Sequence, residues 1–98
     1  MQNMQVYNVL KKEKQVLANK FGVEELVLFG SYARWDEKPD SDVDLLVSFK
    51  EMDFNKLMGA YIYIEKLLGK KVDFIRNGPH ITEKFLNAIK KDMVYVWR

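Results

Sequence analysis

The chain has 98 residues, of which 48% are hydrophobic and 13% aromatic, so we expect one domain with a buried core and little room for a second. A formal net charge of +2 is too small to indicate a nucleic-acid partner, and the absence of cysteine excludes disulfides, thiol nucleophiles and zinc–thiolate sites. No apolar run approaches the roughly 18 residues that can span a bilayer, so no membrane partner is expected and a cytoplasmic protein is predicted.

The first half of the chain predicts one helix and two strands. Apolar residues recur at helical spacing over residues 3–21, and Gly22 follows as a left-handed cap. Residues 26–29 form a short apolar run that predicts a buried strand. After a loop over residues 36–41, a second strand is predicted over residues 43–49.

The second half predicts a helix over residues 54–68, a strand over 72–75, a helix over 81–91 and an edge strand over 94–97. This order is typical of an α/β (α+β) domain. We expect a small mixed β-sheet with the helices on one face, and a single domain over residues 1–98. Gly59 lies inside the helix predicted over residues 54–68, where close packing of a neighbouring group would explain it.

Two acidic residues lie where the second strand begins. Side chains alternate between the faces of a strand, so Asp42 and Asp44 point the same way, with Cα atoms about 6.7 Å apart. Carboxylates at this spacing repel unless a cation lies between them, and oxygen ligands favour Mg²⁺ or Mn²⁺. Taken alone, such a pair of acids more often belongs to a solvated turn than to a metal site.

A calcium-binding loop is another interpretation of these acids. Asp40, Asp42, Asp44 and Glu51 fall at positions 1, 3, 5 and 12 of an EF-hand loop. Position 6 of that loop requires glycine, but the chain has Leu45 there, and a strand rather than a helix follows. Both features argue against an EF-hand.

Two further features favour a site for metal and phosphate. Asp73 is a carboxylate inside the apolar strand over residues 72–75, and it can join Asp42 and Asp44 if the two strands are neighbours; otherwise it occupies an exposed edge. Three carboxylates can hold two divalent ions for phosphoryl transfer. Gly30 and Ser31 provide free backbone N–H groups and a hydroxyl for an anion, although these two residues taken alone are better explained by a simple turn with Ser31 as helix N-cap.

Together these residues resemble the signature of the DNA polymerase β-like nucleotidyltransferase superfamily, Gly-Ser, ten residues, then Asp-x-Asp. The local forms Gly-Ser-x-Ala-Arg, which starts at Gly30, and Ser-Asp-x-Asp-Leu, which starts at Ser41, resemble its minimal nucleotidyltransferase branch, as does Asp73 on a later strand. The motifs run from about residue 26 to residue 75. The resemblance implies the nucleotidyltransferase fold, a small mixed sheet with helices against one face.

The resemblance also implies the roles of the site residues. Asp42 and Asp44 would hold two Mg²⁺ ions (or Mn²⁺), one of which carries ATP. Asp73 would bind the catalytic ion and help to deprotonate the attacking hydroxyl. Gly30 and Ser31 would bind the β- and γ-phosphates.

The resemblance leaves the roles of three further residues open. Arg34 matches the family's arginine and either meets phosphate or pairs with Asp36 or Asp40. Ser41 either contacts the nucleotide or orients the turn before the acids. Trp35 replaces a glycine that is common in the family, which puts nucleotide selectivity and the local backbone conformation in question.

Small members of this branch are typically antitoxins paired with a helical HEPN ribonuclease toxin. The resemblance therefore implies transfer of AMP from ATP to a tyrosine of such a toxin, within a hetero-oligomer. Two alternatives stay open. One is nucleotidyl transfer to a small molecule or an RNA end with the help of a partner subunit. The other is a non-catalytic antitoxin that neutralises by binding.

Overall fold

The computed structural model describes residues 3–98, with the backbone alone for residues 3 and 4, and this part of the chain forms five α-helices and four strands. They are α1 (Asn3–Lys12), α2 (Lys14–Phe21), β1 (Val23–Phe29), α3 (Ser31–Arg34), β2 (Val43–Phe49), α4 (Phe54–Leu68), β3 (Val72–Arg76), α5 (Glu83–Ile89) and β4 (Val94–Trp97). A 3₁₀ turn, Lys90–Asp92, joins α5 to β4. None of these helices is both long and apolar enough to cross a membrane.

The four strands form one mixed sheet in the order β3-β2-β1-β4. Strands β2 and β3 are parallel, whereas β1 is antiparallel to both β2 and β4. The predicted mixed sheet is confirmed, and β4 is an edge strand as expected. Helix α4 supplies the connection that two parallel strands require.

Both faces of the sheet are covered because its central strands are apolar on both sides. Helices α1 to α4 pack on one face, where Leu28, Leu45 and Val47 meet Leu10 and Ile64 in the larger core. On the other face, Ile89 of α5 packs against Val27, Phe29 and Leu46. The expectation of helices on one face therefore describes α1 to α4, while α5 lies on the opposite face.

The predicted helix over residues 3–21 is two helices. Glu13 interrupts it with φ of −94° and ψ of 10°, and its N–H donates to the Leu10 carbonyl at 3.0 Å in a tight turn. The Glu13 carboxylate also accepts a hydrogen bond from the Tyr63 hydroxyl of α4. A tertiary contact thus lies at the break, and apolar periodicity carries no information about it.

Candidate active site

The pairing of the strands brings two of the predicted site residues side by side. Asp44 lies opposite Asp73 in the parallel pairing of β2 and β3, and opposite Phe29 in the pairing of β1 and β2. Their strand neighbours Leu45 and Val72 enter the larger core, so by alternation the two carboxylates point to the α5 face. The end of β1 and the beginnings of β2 and β3 therefore meet at this point.

The Asp44 carboxyl is an unusually weak acid. Partial burial raises its pKa to about 6, from an ordinary 3.8, with further contributions from the charge of Asp73, a hydrogen bond with Asp73 and the charge of Asp42. The positive charge of Arg34 opposes this rise. Negative charge is thus concentrated here beyond what a single cationic side chain offsets.

Asp42 immediately precedes β2 and is half-buried, as is Asp44, whereas Asp73 is exposed. Among residues 3–98, no three acidic, histidine or cysteine side chains already form a metal cluster. Asp44 and Asp73 form the close pair, and Asp42 acts on Asp44 through its charge. An all-oxygen donor set with excess negative charge nevertheless fits a hard divalent cation, whose binding would relieve the repulsion between these acids.

Gly30 allows the Asp44 carboxylate to lie against the turn after β1. Its φ is 75°, a left-handed conformation that favours glycine, and a Cβ atom on it would lie 2.0 Å from Oδ2 of Asp44. Gly30 also occupies the N-cap position of α3, so Ser31 is the first helical residue and not the cap. The Gly-Ser turn therefore packs directly against the Asp44 carboxylate, fourteen residues later in the sequence.

Arg34 is held by two carboxylates. Its Nε lies 3.2 Å from Oδ2 of Asp36, and its Nη1 lies 3.4 Å from Oδ2 of Asp92. These partners raise the pKa of Arg34 further, and the hydrogen bond that Arg34 donates to Asp36 is the largest cause. The pairing with Asp36 was one of the two interpretations of this arginine. Asp92 was missed because it belongs to no motif and reaches the site through the pairing of β1 with β4.

Ser41 closes the loop that leads into the acids. Its hydroxyl accepts a hydrogen bond from the Lys38 N–H at 2.8 Å, and its own N–H donates to the Lys38 carbonyl at 2.9 Å. This arrangement orients the turn before Asp42, the second of the two roles considered for Ser41.

Trp35 ends α3 in a left-handed conformation, with φ of 65°, and its N–H donates to the Ser31 carbonyl. The backbone thus follows the path that a glycine would take, although the residue is tryptophan. Its side chain is 68% exposed. The departure from the family pattern therefore places a large aromatic ring on the surface beside the Gly-Ser turn and leaves the turn itself in place.

Comparison with known proteins agrees with this geometry. Residues 10–96 match the model of the nucleotidyltransferase domain family. The protein adenylyltransferase MntA of Thermococcus cleftensis is 36% identical over 93 residues, which cover 94% of this chain and 93% of that protein.

Two solved structures share the fold. One, described as a minimal nucleotidyltransferase, has a TM-score of 0.79 and 24% identity over 96% of this chain and 95% of its own. The other comes from the complex of a tri-AMPylated Shewanella oneidensis HEPN toxin with an MNT antitoxin, with a TM-score of 0.63 and 15% identity over 93% and 71% of the two chains. A family model that covers most of the chain, and a relative of nearly the same length, show that this protein belongs to the nucleotidyltransferase family.

Proposed function

We propose that this protein, as a single domain over residues 1–98, is an Mg²⁺-dependent protein adenylyltransferase that transfers AMP from ATP to a tyrosine of a HEPN ribonuclease toxin and so acts as its antitoxin. The observation that carries the proposal is the Asp44–Asp73 pair, aligned across β2 and β3, with Asp44 against Gly30. The name of the Thermococcus cleftensis relative and the toxin–antitoxin complex with a similar fold support the acceptor and the partner. ATP and cellular RNA are both cytoplasmic, where we expect the protein to act.

In this proposal Asp42, Asp44 and Asp73 hold the divalent ions. Bound there, the ions would neutralise charge on the attacking and leaving oxygens of the phosphoryl transfer. The donor set fits this role because it consists of carboxylate oxygens alone. The raised pKa of Asp44 means that a cation and a proton compete for this carboxylate.

The beginning of α3 is suited to the triphosphate. The N–H groups of Ala33 and Arg34 both donate to the Gly30 carbonyl, whereas those of Ser31 and Tyr32 begin the helix and have no carbonyl to bind within it. Such N–H groups are donors for phosphate oxygens. We assign the β- and γ-phosphates to Gly30 and Ser31. Arg34, fixed by its two carboxylates, adds a positive charge nearby.

Asp73 is placed to receive the acceptor because it is the exposed member of the three acids. The tyrosine oxygen attacks the α-phosphorus, and a new O–P bond forms. The bond from the α-phosphorus to the oxygen that bridges to the β-phosphate breaks, and pyrophosphate leaves with its electron pair. The hydroxyl proton passes to Asp73, and AMP stays on the tyrosine as a phosphodiester.

A mass measurement tests this function. The chain, ATP and Mg²⁺ are mixed with the protein encoded beside its gene, and we expect that protein to increase in mass by one or more AMP groups and to lose its ribonuclease activity. Asp42→Asn and Asp44→Asn should each lower transfer by at least about a hundredfold, because each removes a charged metal ligand, while binding of the two proteins persists. Asp40→Asn, in the same loop but exposed, is the matched control and should leave transfer unchanged.

Two results would contradict the proposal and identify an alternative. Neutralisation of the toxin that survives both Asp42→Asn and Asp44→Asn would show that binding alone suffices. Consumption of ATP with a small molecule or an RNA, and none with the neighbouring protein, would move the acceptor to another class.

A further inference from the structure

Helix α4 exposes a row of apolar side chains. Phe54, Met58 and Ile62 follow each other at intervals of four residues, which places them on one face, and they are 59%, 38% and 46% exposed. No charged residue occurs from residue 57 to residue 64. Contiguous apolar surface of this kind marks an interaction site. We call these three residues the α4 row.

A groove of about 320 Å³ connects the α4 row with the candidate site. Its walls come from α4 and β3, and its lining residues are Leu57, Met58, Tyr61, Val72, Asp73 and Phe74. Met58 belongs to both the groove and the α4 row, and Asp73 belongs to both the groove and the acidic site. The groove therefore leads from exposed apolar side chains to the edge of β3 at Asp73, and the Asp73 carboxylate lies beyond this edge, on the α5 face.

The backbone of β3 is open along the same surface. The Lys71 carbonyl accepts a hydrogen bond from the Val43 N–H, and the Asn77 N–H donates one to the Val47 carbonyl. The odd-numbered residues of this segment therefore direct their backbone N–H and C=O groups toward β2. The even-numbered residues face the other way, and the Val72 N–H donates to Oε2 of Glu65 at 3.1 Å. Because β3 is the outermost strand of the sheet in residues 3–98, the N–H and C=O of Phe74 face outward.

The strand order separates two sides of the candidate site. Gly30 follows β1 and Asp73 lies on β3, with Asp44 on β2 between them. A triphosphate at the Gly-Ser turn therefore approaches from the β1 side and leaves the β3 side to the acceptor. The α4 row extends eight residues, or about 12 Å, along the helix on that side. That length exceeds what a small-molecule acceptor would cover and fits a stretch of polypeptide.

We propose that the α4 row, the groove and the outer edge of β3 bind the acceptor segment of the protein substrate in an extended conformation. The segment pairs with the Phe74 backbone, and its side chains alternate between the two faces of the sheet. Its apolar side chains contact Met58 and Ile62 on the α4 face, and its hydroxyl residue points to the α5 face and meets Asp73. A helix cannot make the backbone pairing, because its own N–H and C=O groups are already bonded. This inference rests on the proposed function and specifies how the substrate enters the same site.

A negative charge introduced into the α4 row tests this surface. Met58→Glu and Ile62→Glu should each lower AMP transfer to the neighbouring protein by about tenfold or more, mainly through a higher KM for that protein, with the KM for ATP within about twofold of wild type. Val16→Glu on α2 is the control, since Val16 is also 38% exposed. Equal effects of the α2 and α4 substitutions, or none from either, would overturn the inference.

A photo-crosslinking amino acid at position 62 identifies the occupant. The crosslinked peptide of the neighbouring protein should contain the AMP-modified residue or lie within a few residues of it. A crosslink to a distant region, or to a second copy of this chain, would overturn the inference and leave the adenylyltransferase intact.

Backbone pairing is tested by comparing Phe74→Pro, which removes the outward N–H, with Phe74→Ala, which keeps it. The proline variant should transfer AMP about tenfold more slowly than the alanine variant at equal nucleotide binding. Equal rates would overturn the extended mode. If the wild-type chain transfers AMP to no protein at all, the proposed function fails and this inference fails with it. That outcome differs from an active wild type whose α4 and Phe74 variants transfer AMP as fast as their controls, which would overturn this inference alone.

Discussion

At the C-terminal end of β1, Gly30 combines a left-handed φ of 75° with a carboxylate in the place of its missing side chain. Gly30→Ala therefore adds backbone strain and a steric clash with Oδ2 of Asp44 at one position. We expect a loss of about 1–3 kcal/mol in the free energy of unfolding. We also expect at least about tenfold weaker binding of Mg²⁺·ATP, because the Asp44 carboxylate must move. Urea denaturation and nucleotide titration measure the two effects.

Gly22 separates the strain from the clash. It has a similar φ of 71°, but a Cβ atom on it would meet nothing within 4 Å. Gly22→Ala should cost about 1 kcal/mol through strain alone and leave nucleotide binding unchanged. If the two alanine variants lose equal stability and both bind nucleotide normally, the contact of Gly30 with Asp44 has no role in shaping the site.

Trp35 shows what a sequence pattern can and cannot reveal at a single residue. The chain departs from the family motif here, which the sequence makes plain. The structural effect of this departure depends on the backbone of Trp35. Its φ of 65° is a conformation that costs a non-glycine residue about 1 kcal/mol or more. The fold keeps the turn and exposes the ring, so this position affects what can contact the site and not where the Gly-Ser turn lies.

Among the helices, α4 shows how local signals fix an element. The Asp53 side chain accepts from the N–H groups of Asn55 at 2.9 Å and Lys56 at 3.2 Å, so the helix begins where the sequence predicts. Gly69 ends it with a left-handed φ. Both bounds of α4 were predictable because each depends on one residue and its immediate neighbours.

The same helix contains Gly59, where local and tertiary effects oppose each other. A Cβ atom there would lie 2.7 Å from Cε1 of Phe21 on α2, which confirms the close packing expected from the sequence. Helix propensity favours Gly59→Ala by about 1 kcal/mol, whereas crowding of the Phe21 ring costs about 1–3 kcal/mol. We expect the variant to be less stable than wild type by about 1 kcal/mol in urea denaturation.

A double-mutant cycle checks the cause of this loss. In a Phe21→Leu background the ring is absent, so Gly59→Ala should be neutral or stabilising there. Stabilisation by Gly59→Ala in the wild-type background would mean that α2 moves away freely and that the contact is not tight.

Across the whole molecule, the motif residues could be predicted and their partners could not. Asp42, Asp44 and Asp73 could be predicted as site residues because acids are rare at and within apolar strands. Their alignment depends on the β2–β3 register. Asp92 and the free edge of β3 follow from the strand order, which no local pattern contains. The position of α5 likewise depends on which face of the sheet the first four helices leave uncovered.

The stability of the whole domain should depend on pH through Asp44. Its pKa of about 6 in the folded protein, against an ordinary 3.8, means that the folded state binds the proton more tightly than the unfolded state. The resulting stabilisation is complete below about pH 4 and is lost as the pH rises to about 6 and beyond. Because solvent partly screens this carboxylate, we expect the free energy of unfolding of the metal-free chain to fall by about 1–2 kcal/mol between pH 4 and 7.

Urea denaturation with a chelator, at several pH values between 4 and 7.5, measures this dependence. Other groups also titrate in this range, so the informative quantity is the free energy of unfolding of wild type minus that of Asp44→Asn. This difference should decrease steadily as the pH rises. Asp40→Asn, at an exposed position two residues before Asp42, should show no such trend. At pH 7.5, Mg²⁺ in place of the chelator should restore stability to wild type and not to Asp44→Asn, since cation binding removes the same repulsion that protonation does. A difference that is constant with pH would mean that the site tolerates its ionised carboxylates without a cation, and the electrostatic argument for a metal site would lose its basis.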